Sequence, residues 1–475
     1  MATLTSLSNS EPIGTKDPGL QAMCVLHQSR LSNHQSIMST PEIPVEVWSE
    51  IFAFSCDYEI RSLHTLALVS HSFRNIINAT PQLWETSFEI GKRELADMGR
   101  VQFLMRKSGA LPLQITINPP ACLSAEEMKE VGEKLNEMVP RFEVVTLVVY
   151  DYWLMRTLMD AMTRDRSALL LEEYQIFAIA ATPDENAIAL RDIFHPSPRL
   201  VDVKLPPELI PCSMAPPSPF FFAITKISIQ NRRVDPTFFL DRLLKLLTNM
   251  PVLEEFSYAS KDHLSSFPPP DLDHPITPRL RSVKLRSPGL GMDTICLLRA
   301  PCLREVHINA DCQYPDIHYV KRRSYAEYLK DRLHRLSCTA TTVTTLTLHG
   351  CEFLDFEYTQ LLQGELFSNL ECLVLWVADI ADEILGGCRP GGKLRRLELH
   401  ECNNLTYDGA LPFVERCSKD FELIIIACWG LRIEDVRMLA RYVEVSWADK
   451  LDREDRSGMT SWGPSYPSRY AYVAP

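Results

Sequence analysis

The residues best placed to do chemistry lie in the C-terminal third of the chain. Gly387-Cys-Arg-Pro-Gly-Gly392-Lys393 has the spacing of a phosphate-binding loop, in which backbone N–H groups and a lysine cradle an anion. Leu394 stands where Ser or Thr must hold magnesium. The loop also precedes a predicted strand, whereas a phosphate loop follows a strand and opens a helix. His349 with Cys351 and His400 with Cys402 are the nearest approach to a zinc set. They hold equivalent positions in two repeats, but a third repeat, offering Trp376 and Ala378, falls between them. Their strands are then about 10 Å apart, too far for zinc bonds of about 2.1 to 2.3 Å. No HExxH, GxSxG or GxGxxG motif occurs. The expectation is a chain that is not an enzyme, with no catalytic residue, no metal and no cofactor.

Composition narrows the class further. The chain has 475 residues, 46% hydrophobic and 23% charged, enough to bury a large core. Sixty-one acidic against 49 basic residues leave a net charge of −12, the wrong sign for binding a phosphate backbone, so no nucleic-acid partner is expected. Leu423 to Leu431 is an uncharged apolar run of nine residues, short of the roughly 20 that cross a bilayer. No membrane partner is expected either. Residues 1–38 lack a secretory apolar segment, which predicts cytoplasmic or nuclear residence and free thiols for the 14 cysteines. Lys321-Arg322-Arg323 is too short to serve as an import signal.

The elements that carry these groups follow from a repeat. A core of apolar, two others, apolar, one other, apolar begins at Phe142, Leu171, Leu200, Ile224, Leu253, Leu280, Leu303, Val343, Leu370, Leu394 and Phe421. Most steps are 23 to 29 residues; the 40 between Leu303 and Val343 leave room for an insertion. Each core predicts a short strand that cannot bury its apolar face alone, and eleven side by side make one parallel sheet. Ser124 and Glu127 form a capping box ahead of a stripe of Met128, Val131, Leu135 and Met138, which predicts a convex-side helix.

Alternate strand residues point oppositely, so those between the repeating positions line an exposed concave face. The expected target-binding patch on it is Thr347, His349, Val374, Trp376, Arg396, Glu398 and His400, an apolar anchor with polar neighbours. A face on the order of 50 Å long suits a protein segment better than a metabolite.

Ahead of the repeats, Pro44 opens a helix with Val47, Trp48, Ile51 and Phe52 on one face. Ser62 and Ser70 can cap two more helices, the second ending at Pro81, and Leu83 and Trp84 close the unit. So small a unit buries little surface, which suggests a partner for part of its apolar face.

The run Ile43-Pro44-Val45-Glu46-Val47-Trp48-Ser49-Glu50-Ile51-Phe52, then Leu66-Ala67-Leu68-Val69-Ser70-His71-Ser72-Phe73-Arg74, then Thr80-Pro81-Gln82-Leu83-Trp84 resembles an F-box, in the F-box-like form common in mushroom-forming fungi. The strand cores resemble leucine-rich repeats, Leu394 to Cys417 matching the cysteine-containing kind. Together these imply an α/β architecture: a short helical F-box followed by an irregular leucine-rich-repeat solenoid with a parallel sheet and a concave face. The expected divisions are a flexible tail (1–37), an F-box-like domain (38–85), a linker with the first solenoid helices (86–141), the solenoid (142–449) and a flexible tail (450–475).

The order resembles that of substrate receptors of SCF-type ubiquitin ligases. The resemblance implies a Skp-family adaptor, through it a cullin, and a protein target held by the repeats. It makes Pro44, Val47, Ile51, Phe52, Leu66, Val69 and Leu83 the adaptor-facing candidates. The alternative is a non-catalytic repeat scaffold not coupled to ubiquitin transfer.

Overall fold

Three alternations of apolar and polar stretches before residue 85, then a strand pattern repeated down the chain, fold into two units, Met1–Glu85 and Thr86–Pro475. The computed structural model describes residues 43–56, 60–84, 86–120, 122–164, 166–178, 197–210, 222–231, 236–260, 276–286, 289–310, 319–351 and 355–448. The two stretches read as tails, and the start of the helical domain at residue 38, lie outside them.

The first unit has three helices, α1 (Val45–Cys56), α2 (Ile60–Val69) and α3 (His71–Ala79), and a short 3-10 turn at Pro81–Leu83. Ser70 caps α3 as expected, its hydroxyl accepting from Phe73 N–H at 3.0 Å. Ser62 does not start α2, which begins two residues earlier at Ile60. The rings of Trp48, Phe52 and Phe73 meet with centroids 4.9 to 5.6 Å apart and staple α1 to α3. Trp84 Nε1 donates to Ile77 O at 2.9 Å, closing the unit.

The second unit is an α/β repeat solenoid. Fourteen parallel strands pair strictly in chain order: β1 (Ser87–Ile90), β2 (Leu113–Ile117), β3 (Phe142–Val149), β4 (Glu173–Ala178), β5 (Asp202–Leu205), β6 (Lys226–Asn231), β7 (Glu255–Ser260), β8 (Ser282–Arg286), β9 (Glu305–Asn309), β10 (Thr345–His349), β11 (Cys372–Trp376), β12 (Arg396–His400), β13 (Glu422–Ile426) and β14 (Glu444–Ala448). Three of them, β1, β2 and β14, are additional to the eleven read from the repeat. The stretch read as a linker, 86–141, therefore already carries sheet, together with α4 (Lys92–Ala96), α5 (Met98–Lys107) and α6 (Ala125–Asn136).

Registered residues form a ladder through the core. Ile115, Val145, Tyr174 and Val203 stack on adjacent strands at one end, and Leu346, Leu373, Leu397 and Leu423 at the other. All are at most 1% exposed, and burying each contributes roughly 2 kcal/mol. A recurrent turn sets the phase: the leading apolar residue donates its N–H to the carbonyl three positions earlier, as from Leu303 to Ala300, Leu370 to Phe367 and Leu394 to Gly391. Phe421 makes the same turn to Ser418 but enters its strand one residue sooner. Leu423 and Ile425 are therefore the buried pair in β13, where the repeat pattern points to Ile424 and Ile426. The run Glu-Leu-Ile-Ile-Ile is apolar at both phases, so alternation does not distinguish them.

Helices pack on the side of the sheet that the ladder faces, as in Gly289–Leu297, where a Cβ on Gly291 would meet the buried side chains of Tyr258 and Leu285. The capping box of α6 forms: Ser124 N–H donates to Glu127 Oε2 at 2.8 Å and Glu127 N–H to Ser124 Oγ at 3.2 Å. Met128, Val131, Leu135 and Met138 are buried. Gly132 lets α6 approach α7 (Tyr152–Thr163), since a Cβ there would stand 2.6 Å from Leu158 O. The long step before Val343 holds a 21-residue helix, Tyr319–Thr339, which includes the backbone of Lys321–Arg323. Its Arg332 pairs with Asp293 at 2.6 Å, both nearly inaccessible.

Candidate functional site

Two surfaces bear the candidate residues. On the helical unit the structure partitions what helical spacing leaves joined. Phe52 and Leu83, read as adaptor-facing, are 2% and 4% exposed and belong to the core with Leu63, Ile77 and Trp84. Leu66 is half-buried. Pro44, Val47, Ile51 and Val69 are exposed.

Sequence reasoning missed Val45, Phe54 and Leu68, which are 50%, 92% and 77% exposed. The signal was present, because Val47, Ile51 and Phe54 stand at i, i+4 and i+7 and share one helical stripe. Trp48 and Phe52 form the inward stripe beside it. With both stripes apolar, periodicity alone does not say which one faces out. Seven of the 17 large hydrophobic side chains exposed among the described residues fall between Ile43 and Val69. Such a concentration differs from the singly scattered apolar exposure of an ordinary monomer surface.

On the solenoid, the seven target-binding candidates all lie on the concave side of β10, β11 and β12. Their register is Thr347, Val374, Glu398 in one row and His349, Trp376, His400 in the next. The expectation that they form an open patch is corrected: Val374, Trp376, Glu398 and His400 are 6%, 9%, 4% and 0% exposed. They are engaged with one another. Trp376 stacks on His400 with ring centroids 3.8 Å apart, and His349 tilts against its other side at 6.0 Å. His400 Nε2 donates to Glu398 at 3.1 Å, and Arg396 reaches Glu398 at 2.7 Å and Glu422 at 3.1 Å. Burial alone would raise the Glu398 carboxyl, but the bonds from His400 and Arg396 hold it below the ordinary carboxylate range. Thr347, His349 and Arg396 keep partial exposure.

The groups considered for other chemistry are placed just as firmly. Trp376 stands in register between His349 and His400, and His349 Nδ1 is bonded to Asn309 Oδ1 at 3.1 Å. Cys402 and Cys428 hold equivalent turn positions and hydrogen-bond to the carbonyls of Leu375 and Leu399, respectively. The glycine loop from Gly387 to Lys393 leaves the end of a helix, Asp382–Gly387, and leads into β12, the reverse of a phosphate loop. Lys393 Nζ donates to Asn369 Oδ1.

No family model matches the chain, and no curated protein does. Among solved structures it is similar to the crystal structure of the Rad7 and Elc1 complex in yeast, at 12% identity and a TM-score of 0.32, over 91% of this chain and 92% of that one. It is also similar to the TLR13–ssRNA13 complex, at 11% identity and a TM-score of 0.33, over 78% of this chain and 52% of that one. At those values neither likeness assigns a family or a partner, and the solenoid is identified by its own sheet.

Proposed function

We propose that this chain is a substrate-recognition subunit of an SCF-type E3 ubiquitin ligase. In this reading the exposed apolar groups of α1 and α2 dock a Skp-family adaptor, and through it a cullin, while the repeats hold a protein target. The observation that carries it is the stripe of Val47, Ile51 and Phe54, left exposed on a helical unit whose aromatic core is already filled. The resemblance of residues 43–84 to an F-box supplies the identity of the partner.

The mechanism is proximity. Holding the target on one unit and the adaptor on the other converts ubiquitin transfer into a reaction at high effective concentration, with no catalytic group from this chain. Co-purification with a recombinant Skp-family adaptor tests the reading. Ile51→Asp places an unpaired charge in a contact that must lose water and is expected to abolish capture, while the solenoid melts as in the wild type. Capture at the wild-type level by Ile51→Asp would overturn the assignment. Adaptor capture with no cullin in the complex would leave the chain a scaffold uncoupled from ubiquitin transfer.

A further inference from the structure

The cations of the concave face divide into two groups. Lys204 meets Glu173 at 2.7 Å, Lys226 meets Glu255 at 3.0 Å, and Arg396 meets Glu398 and Glu422. Lys284 and Arg286, alternate residues of β8, have no carboxylate within ion-pair distance among the described residues, although both are partly buried. Among the described residues of the concave face the other cations all meet carboxylates, so this pair is the exception there.

Their surroundings repeat the pattern. In register with Lys284 run Ser228, Ser257, His307 and Thr347, and in register with Arg286 run Gln230, Ala259, Asn309 and His349. Neither row contains a carboxylate from β6 to β10. The acidic groups of these strands, Glu255 and Glu305, are confined to the row at the strand starts, where Glu255 is already taken by Lys226. Burial first, and then the Lys284 cation, push the His307 imidazole below its ordinary value, against the opposing pull of Glu305, whose carboxylate lies 3.9 Å from its Nε2.

We infer that the middle of the concave face, from β6 to β10, takes an acidic segment of the target protein, a run of Asp or Glu side chains in extended conformation. This deepens the reading of the repeats as the target-holding surface and rests on it. The strip is four interstrand spacings, about 19 Å, wide, so a segment laid along β8 at its centre meets no carboxylate in the rows of Lys284 and Arg286 on either side. The two cations project from alternate strand positions about 7 Å apart, which matches successive same-side carboxylates of an extended chain rather than one compact dianion. Serine and threonine hydroxyls around them donate to the remaining oxygens.

The test uses the full-length chain and a fluorescein-labelled twelve-residue peptide containing six consecutive Glu, with the all-Gln peptide and a single-phosphoserine peptide as comparisons. The Glu peptide is expected to bind, the Gln peptide not, and 0.5 M salt to weaken binding at least tenfold, as screening requires. Lys284→Glu with Arg286→Glu should cost at least tenfold in affinity. The same charge change at the exposed pair Lys92→Glu with Arg93→Glu should cost less than twofold, which separates a local site from net charge. Equal losses in the two double variants, or unchanged binding in the first, would overturn the inference, as would a preference for the phosphoserine peptide. Adaptor capture is measured in parallel. Adaptor loss with peptide binding intact refutes the ligase reading alone, whereas peptide loss with adaptor capture intact refutes only the acidic-segment site.

Discussion

Ile51 on the helical unit and Trp376 on the concave sheet are both large apolar side chains on faces that their sequence context assigns to partners, yet one is 40% exposed and the other 9%. The difference lies in the architecture around them. A three-helix unit has only its own few side chains to cover an apolar stripe, and once Trp48, Phe52 and Phe73 have filled the inside, the second stripe of α1 is left over. In a solenoid every inner strand has neighbours on both sides, so a concave side chain can be enclosed by the next repeats, as Trp376 is between His349 and His400. Apolar character alone therefore corresponds to an exposed stripe on the first unit and to internal packing at β11 and β12.

Substitutions can break or sharpen that contrast. The largest expected effect is on stability: Trp376→Ala should lower unfolding free energy by about 3 to 5 kcal/mol, the usual cost of truncating a buried aromatic residue. Ile51→Ser should change it by no more than about 0.5 kcal/mol, as at ordinary surface positions. Chemical denaturation of the two variants checks this, and equal losses would erase the distinction between the two regions.

A smaller effect concerns pH. The Glu398 carboxyl is held below its ordinary value of 4.5, so its folded form binds a proton less readily than its unfolded form. Its contribution is complete above about pH 4.5 and is lost as pH falls through the depressed folded value. Denaturation midpoints between pH 7 and pH 3 should therefore fall less steeply below pH 4.5 in Glu398→Gln than in the wild type, from a lower starting point. Parallel curves would show that the carboxylate network does not hold this end of the sheet.

The smallest effect is at a corner. Val377 follows β11 with φ of 51°, in the left-handed region that disfavours a β-branched residue, whereas Gly350 occupies the equivalent corner after β10 with φ of 62°. Relief of about 1 to 2 kcal/mol in Val377→Gly, offset by roughly 0.5 to 1 kcal/mol of glycine entropy, should leave a gain near 0.5 kcal/mol in thermal or chemical unfolding. A net loss would mean that the half-exposed isopropyl group contributes packing that outweighs the strain.

Most of the sheet was legible because Leu-x-x-Leu-x-Leu writes both the strand and its turn into six residues, and β4 to β12 keep that phase. The first two strands, Ser-Phe-Glu-Ile and Leu-Gln-Ile-Thr-Ile, alternate properly but lack the leading turn residue that made the others periodic. The last strand does carry the spacing, in Tyr442, Val445 and Trp447, with Tyr442 N–H donating to Leu439 O at 3.0 Å, but its leading tyrosine is 41% exposed. At the candidate surfaces the limit was different. Which residues share the concave side follows from alternation, but whether Trp376 and His400 are open depends on contacts between repeats 24 residues apart, which no local pattern encodes. The same holds for Phe52 against Ile51, adjacent in sequence and opposite in burial.

The central claim is that the exposed stripe of α1 and the end of α2 bind an adaptor. Amide hydrogen exchange of the full chain, with and without a saturating Skp-family adaptor, tests it most directly. The account predicts added protection in peptides from residues 45–69 and none in β11 and β12. Protection confined to the sheet, or no change anywhere in the chain, would contradict it.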